Sequence, residues 1–455
     1  MKNVISINRN LFNIYLLFTR NPFVRYFSRE LEFYSNGNKS LIGFISLDYT
    51  DNDFNVAILS RDKSKQYRAG NMETSIPTIE KARRWIDEQM NSDSIVMHND
   101  ESEYFDLFEI KAKKSQISQH FKLLKESEGL KGAKEVIKEI SYHYKDIDGN
   151  FIEQFQSNNG FDSRIWELYL FCLCREELFS FKRNSHSPDF MIEKLGTEVA
   201  IEAVIVARKN NKAIDELPLK SMEEIEEKLK NKMPLMFGSA LFDKLKKEYW
   251  KLDHVKGKPF LIAIADFHED FSMTWSFTAL SDYLYGYKYT HSYDKNGELI
   301  IIPVKIKEFV KESGARIPAG FFFQPNSENI SAVLFSSTAT IGKFNRMGKQ
   351  AGLGSSKSTI IRMGACHNFD DNASVPNMFQ YQVDEDSKEL WSEGVSIFHN
   401  PNALIPLDKS LFPSVAHHEL KDEFLYSSFP EFFPYNSFNQ NIVSTEDEKE
   451  IKSKP

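Results

Sequence analysis

Val199-Ala-Ile-Glu-Ala-Val-Ile-Val206 is an apolar run that a single acid, Glu202, interrupts. Its length and its β-branched residues are typical of a buried strand in the centre of a sheet. An ionised carboxylate in such a strand is costly unless a cation or hydrogen-bond donors replace the lost water. The run therefore predicts a central strand and, at Glu202, a carboxylate with a function.

A second acid, Asp189, follows Pro188 and precedes the apolar residues Phe190-Met-Ile192. This position predicts the start of the preceding strand, in a hairpin with the strand of Glu202. Carboxylates on neighbouring strands can share a divalent cation, and Mg²⁺ commonly takes one or two of them together with water and phosphate. Asp189 and Glu202 are therefore the predicted metal ligands, with Mg²⁺ or Mn²⁺ as the cofactor.

Over about residues 160–270 the pattern resembles the PD-(D/E)XK, or restriction-endonuclease-like, nuclease superfamily. The matching elements are Pro188-Asp189, Glu202-Ala-Val204 and Glu167 on the preceding helix. The resemblance implies that Asp189 and Glu202 hold the metal, that Glu167 supports the site, and that phosphodiester bonds are hydrolysed. It also implies an α/β fold, a restriction-endonuclease-like mixed-sheet core with helices on both faces, flanked by β-rich accessory regions.

The chain departs from the family pattern at Val204, which stands where the family has the lysine that positions the attacking water. A lysine on another element can replace it, since only the ammonium must reach that water. Lys182, Lys209 and Lys244 are the candidates. Lys244 is preferred as the catalytic lysine because it flanks the apolar face of a helix predicted at 238–252.

The formal net charge is -8, which argues against a general nucleic-acid coat protein. A nuclease is not excluded, because its affinity depends on a local basic face. The side chains predicted to bind phosphates are Lys209, Lys246, Lys247 and Lys251. The expected partner is nucleic acid, DNA in preference to RNA, and the sequence leaves open a homodimer or a partner protein.

A chain of 455 residues favours two or three domains. The predicted divisions are an N-terminal accessory domain that is β-rich and then helical, the nuclease core, a β-rich and loop-rich C-terminal region, and a disordered tail: 1–150, 151–285, 286–440 and 441–455. Helical segments are also predicted at 164–179 and 222–232, and a strand at 319–323.

Two further stretches bear on function. Asp48 to Asp53 holds three aspartates that could take a hard cation, but the EF-hand spacing is absent and an acidic hairpin turn is favoured. Residues 336–354, with Lys343, Arg346 and Lys349, are interpreted as a surface loop and helix, with contact to phosphates or bases as the alternative.

The expected location is cytoplasmic. Three cysteines cannot form a disulfide framework, and free thiols indicate a reducing compartment. The apolar run at 11–18 is much shorter than the ~20 residues of a membrane span, so no membrane association is expected.

Three hypotheses follow from the sequence. The first is a metal-dependent nuclease, with a role in restriction or defence by analogy. The second, favoured by Val204, is a catalytically inactive nuclease fold that binds nucleic acid or acts as a scaffold. In the third, Asp189 caps a turn and Glu202 forms a buried ion pair with a lysine or arginine.

Overall fold

A computed structural model describes residues 4–98, 104–146, 149–182, 186–208, 221–311 and 313–444. The N-terminal strands form an antiparallel sheet in chain order: β1 (Val4–Ser6), β2 (Ser28–Asn36), β3 (Leu41–Asp48), β4 (Phe54–Arg61) and β5 (Tyr67–Ile76). Two helices accompany this sheet: α1 (Arg9–Leu16) and α2 (Ile79–Asn91). Helix α2 packs Ile86 and Met90 into a small core against β3 and β4. The predicted β-rich start of the chain is confirmed.

Eight further α-helices lie in the described part of the chain. They are α3 (Gln119–Glu126), α4 (Lys131–Ser141), α5 (Phe151–Gln156), α6 (Phe161–Glu176), α7 (Met222–Glu227), α8 (Met233–Leu245), α9 (Phe277–Tyr285) and α10 (Ile341–Gln350). None of the helices described here is long and apolar enough to cross a lipid bilayer.

The remaining strands belong to a large central sheet, two hairpins and a three-stranded sheet. In chain order they are β6 (Ser180–Phe181), β7 (Phe190–Lys194), β8 (Thr197–Val206), β9 (Phe260–Asp266), β10 (Tyr287–Tyr293), β11 (Leu299–Lys305), β12 (Glu308–Val310), β13 (Arg316–Pro318), β14 (Ala332–Ser336), β15 (Ser358–Cys366), β16 (Asn377–Val383), β17 (Val395–His399), β18 (Ala416–Lys421), β19 (Phe424–Ser428) and β20 (Phe438–Val443).

The central sheet is mixed, with the strand order β19-β18-β17-β14-β9-β8-β7-β6. Strands β8, β9 and β14 are parallel, as are β17 and β18, while the other neighbours are antiparallel. All side chains of β9 and β14 are buried, and so are those of residues 199–202 in β8, which is typical of parallel strands covered on both faces. The strand predicted from the run at 199–206 therefore lies inside the sheet, as expected.

Helices cover both faces of this sheet. On one face, Phe237 of α8 and Phe277 of α9 contact the ring of Phe335 in β14. The neighbouring residue Ser336 points to the opposite face, where its hydroxyl lies 3.3 Å from that of Tyr169 in α6. The predicted α/β class, a mixed sheet between helical layers, is thus confirmed.

The predicted domain divisions do not coincide with the packing. Strands β14, β17, β18 and β19 come from 286–440 yet extend the sheet that begins within 151–285. One continuous hydrophobic core includes Leu11, Trp166 and Phe398, which belong to three different predicted domains. Residues 441–443 of the predicted tail are part of β20 and pair with β15, and 445–455 lie outside the described residues.

Two secondary-structure predictions need correction. The helix predicted at 238–252 starts earlier, at Met233, where Pro234 occupies the first turn, and it ends at Leu245. Glu248 has a left-handed backbone (φ 49°), which no α-helix continues through. The segment 319–323 is not a strand, because Phe321–Phe323 forms a 3₁₀ turn after Gly320, whose φ is 80°.

The prediction of a surface segment at 336–354 is wrong for Lys343 and Arg346. Lys343 and Arg346 on α10 are buried around the carboxylate of Glu389, at 2.8 and 2.7 Å. Arg362 of β15 lies 3.5 Å from the same carboxylate and 2.9 Å from Glu393. These three cations around the buried Glu389 are structural, because removing one partner would leave buried charge without compensation.

Glu389→Gln should lower the free energy of unfolding by about 3–5 kcal/mol, since Lys343, Arg346 and Arg362 would share a buried site without its central anion. Denaturant unfolding followed by circular dichroism measures the loss. The exposed Glu431→Gln is the matched control and should change stability by less than about 0.5 kcal/mol. An equal effect of the two substitutions would show that the cluster does not stabilise the fold.

Candidate active site

Strands β7 and β8 bring the two predicted metal ligands together. Phe190 pairs with Ile201 in this antiparallel hairpin, so one further step of the register places Asp189 opposite Glu202. Side chains directly opposite each other in an antiparallel pair lie on the same face of the sheet. The backbone N–H of Ala203 donates to Asp189 Oδ2 at 2.7 Å, which fixes the aspartate at the mouth of the hairpin.

Glu202 is 4% exposed and is held by two donors. Lys244 Nζ, in the last turn of α8, lies 2.5 Å from Oε1, and the hydroxyl of Tyr249 donates to the same oxygen at 2.7 Å. In the described part of the chain, Glu202 Oε2 and Asp189 Oδ1 have no hydrogen-bond partner. Each carboxylate thus keeps one oxygen that can serve as a ligand.

The surroundings of Asp189 oppose ionisation of its carboxyl group. Burial, followed by repulsion from Glu202 and Glu167, raises the pKa of Asp189 to about 7. Its hydrogen bond from Ala203 and the charge of Lys244 act in the opposite direction. Crowded carboxylates of this kind are relieved when a cation binds between them, which is a frequent property of functional sites.

Glu167 lies near the pair, but both of its carboxylate oxygens already accept hydrogen bonds. Arg164 Nη1 donates to both of its carboxylate oxygens, at 2.7 and 2.6 Å, and the hydroxyl of Tyr144 donates at 2.9 Å. Its charge still acts on Asp189. Glu167 therefore fits a supporting position and does not fit a third metal ligand.

The donor set fits a small hard cation. Two carboxylate oxygens from Asp189 and Glu202 match the way in which Mg²⁺ is bound, by one or two carboxylates with water and phosphate completing the shell. Among the described residues, the three acids that approach one another within 4.8 Å lie elsewhere, at Asp48, Asp51 and Asp53. That cluster joins β3 to β4, where Asp48 Oδ1 accepts from the backbone of Thr50 as in the predicted turn.

The predicted phosphate-binding lysines lie directly after α8. Lys246 is 74% exposed and faces Asp243 at 3.9 Å, and Lys251 pairs with Glu248 at 2.7 Å. The ammonium of Lys247 lies 5.8 Å from the ring of Tyr249, the residue that donates to Glu202. Of these three lysines, Lys247 thus lies beside a residue that contacts Glu202, and Lys246 and Lys251 pair with other acids. Lys209 lies outside the described residues.

Lys182, another candidate for the catalytic lysine, pairs with a different acid. It lies 2.5 Å from Glu198 at the other end of β8. Tyr249, Tyr144 and Arg164 belong to the site but were missed in the sequence. Tyr249 and Tyr144 carry no spacing signal, because they reach the acids from a 3₁₀ turn and a loop. Arg164 stands three residues before Glu167 on α6, and this helical spacing could have indicated the pair.

Comparisons with protein-family models, with curated proteins and with solved structures find no match to this chain.

Asp189→Asn should stabilise the metal-free protein at pH 8 and leave it unchanged at pH 4. The raised pKa means that the folded state favours the protonated carboxyl, so this stabilisation is present below about pH 4 and is lost as pH rises to about 7. Asparagine keeps an oxygen for the N–H of Ala203 and carries no charge. The expected gain is about 1–3 kcal/mol in EDTA.

Denaturant unfolding at both pH values measures this gain, with the exposed Asp253→Asn as the control for a surface charge. An equal gain in the free energy of unfolding at pH 4 and pH 8, or a loss at pH 8, would contradict a raised pKa of Asp189.

Proposed function

We propose that this chain is a metal-dependent nuclease, with a restriction-endonuclease-like core that hydrolyses phosphodiester bonds, in DNA before RNA. The proposal rests on the positions of Asp189, Glu202 and Lys244 relative to one another. Asp189 is opposite Glu202 in the hairpin, and Lys244, which is 42 residues further along the chain than Glu202, lies 2.5 Å from it. Lys244 thus supplies an ammonium at the acid pair although Val204 occupies the family's lysine position.

Asp189 Oδ1 and Glu202 Oε2 are the atoms that would hold Mg²⁺ or Mn²⁺. Bound there, the ion would stabilise developing charge on the phosphate and make water a better nucleophile at neutral pH. The chain's own contribution is to orient these oxygens: Ala203 and Tyr249 each fix one carboxylate by donating to its other oxygen.

Lys244 has two roles in this proposal. Its ammonium compensates the buried charge of Glu202, and it can donate a hydrogen bond to the water that attacks phosphorus. The hydroxyl of Tyr249 shares Oε1 with Lys244, which limits the positions that the carboxylate can take. Lys246, Lys247 and Lys251 would bind phosphates, which gives affinity without sequence information.

A catalytically inactive, nucleic-acid-binding fold is the second candidate. The ion pair between Lys244 and Glu202 favours it, because this pair compensates the buried carboxylate without any metal. The two candidates share the phosphate-binding lysines and differ in turnover. A role in defence against foreign DNA rests on analogy with the family alone.

Labelled duplex DNA, single-stranded DNA and RNA should be incubated with Mg²⁺ or Mn²⁺ and the wild-type chain. Cleavage is expected to require the metal. It should fall at least about 10²-fold in Glu202→Gln and Asp189→Asn, because each loses a ligand charge, and in Lys244→Met, because the water loses its donor.

Asp253→Asn and Lys295→Gln, both exposed, make the same changes of charge away from the acid pair and should cleave like wild type. Binding without cleavage in any metal would support the inactive fold. Cleavage that survives Glu202→Gln and Asp189→Asn would place the active site elsewhere.

Replacing Lys246, Lys247 and Lys251 together by glutamine should weaken binding to all sequences by a similar factor. The slope of log K against log salt should become shallower by about 0.9 for each phosphate that the variant no longer neutralises. Fluorescence anisotropy over a salt series measures both the affinity and the slope. An unchanged slope would show that these lysines do not face the nucleic acid.

A further inference from the structure

Besides the acid pair, the structure has a second candidate site, a recess with a volume of about 240 Å³ at the carboxyl ends of β8 and β9. Arg208, two residues beyond β8, and Asp266, the last residue of β9, line it. Six residues of extended chain separate Arg208 from Glu202, or about 20 Å at 3.3 Å per residue. Ligands of open α/β sheets bind in crevices outside the carboxyl ends of the strands. The recess is thus a binding-site candidate separate from the acid pair.

The walls of the recess are mainly apolar and partly aromatic. Phe161 and Ile165 of α6, Met273 and Phe271 all line it. Phe271 is unusual, because it is 40% exposed and its backbone is left-handed, with φ of 62°. Bulky residues rarely adopt this conformation, and those that do cluster at functional sites and ligand clamps. An exposed aromatic side chain held on a strained backbone fits a residue that covers a ligand.

The polar side of the recess is rich in carboxylates that already bind the local cations. Arg208 lies 2.9 Å from Asp162 and 2.5 Å from Asp270, and His120 lies 3.3 Å from Asp270. Each cation is therefore matched by at least one acid before any ligand is bound. An anionic ligand would have to compete with these carboxylates.

Asp266 adds an acceptor that nothing in the described part of the chain satisfies. Its side chain is fully buried, and Oδ1 accepts from the backbone and the ring of His268, at 3.1 and 2.8 Å. Oδ2 has no hydrogen-bond partner. Glu269, next in this loop, lies 3.1 Å from Lys228 and 3.4 Å from His268. Buried acceptors without donors are costly and are usually satisfied by a ligand or water.

We infer that this recess binds a small organic cation, an amine or amidinium group on a flat apolar body. The apolar body would lie between the aromatic rings of Phe161 and Phe271. The faces of these rings also attract the positive charge of the ligand. The cationic head would donate to the carboxylates at the end of β9. This inference does not depend on nuclease activity, since Asp189, Glu202 and Lys244 are not among the residues that line the recess.

Three probes of nearly one shape separate charge from size: benzamidine, which is cationic, benzamide, which is neutral, and benzoate, which is anionic. Titration calorimetry and thermal unfolding of the full chain at millimolar probe concentrations should show saturable binding and a higher Tm for benzamidine alone. Ligands that bind only the folded state raise its stability.

Phe271→Gly should weaken benzamidine binding at least about tenfold, because it removes the covering ring. It should not lower Tm, because glycine accepts a positive φ without strain. Asp266→Asn should weaken binding to a similar extent through the lost charge. Asp189→Asn, in the acid pair, is the control and should bind benzamidine like wild type.

Equal binding of all three probes would show an apolar recess without selectivity for cations and would overturn the inference. Absence of benzamidine binding would overturn it as well. So would benzamidine binding that persists in Phe271→Gly, because the probe would then occupy another place. If Asp266→Asn does not fold, Phe271→Gly still decides the outcome.

Discussion

The burial of Glu202 in the middle of β8 is the constraint on which the site depends. A carboxylate that is 4% exposed must be compensated, and Lys244 and Tyr249 approach it from the end of α8 and the turn that follows. This requirement fixes where α8 ends relative to the sheet. It also places the opposite acid, Asp189, where its own ionisation is opposed by burial and by neighbouring charge.

Strand β8 connects the two candidate sites. Its central part carries Glu202, and the chain just past its end carries Arg208, which lines the second recess. Both places follow from the mixed topology: the antiparallel hairpin with β7 sets acid opposite acid, and parallel pairing with β9 leaves strand ends and loops together at one edge. One strand thus supports an acidic site on its face and a mainly apolar recess at its end.

The buried strand, the helix before it and the acid pair could be predicted, because each depends on a local pattern. An acid inside an apolar run is visible in the sequence, and so is a proline followed by an aspartate before a strand. Lys244 could be ranked first among three lysines because helical spacing placed it beside an apolar face. The structure brings it to Glu202, although the predicted helix limits were wrong.

What could not be predicted depends on contacts that are distant in sequence. Pairing of β14 with β9 joins the C-terminal half of the chain to the core, and no local pattern indicates it. Lys343 and Arg346 looked like surface residues because their partner, Glu389, lies about 40 residues away. The end of α8 was missed because Glu248 adopts a left-handed backbone, which residues other than glycine seldom signal.

Titration of Mn²⁺ onto the metal-free protein, followed by electron paramagnetic resonance of the free ion, tests the central claim most directly. It should be carried out in the Asp51→Asn background, because Asp48, Asp51 and Asp53 are a rival cluster of acids. One site is predicted in that background, and it should be lost in Glu202→Gln and in Asp189→Asn. Retention of the site in both substitutions, or no binding at all, would contradict a metal centre at this pair.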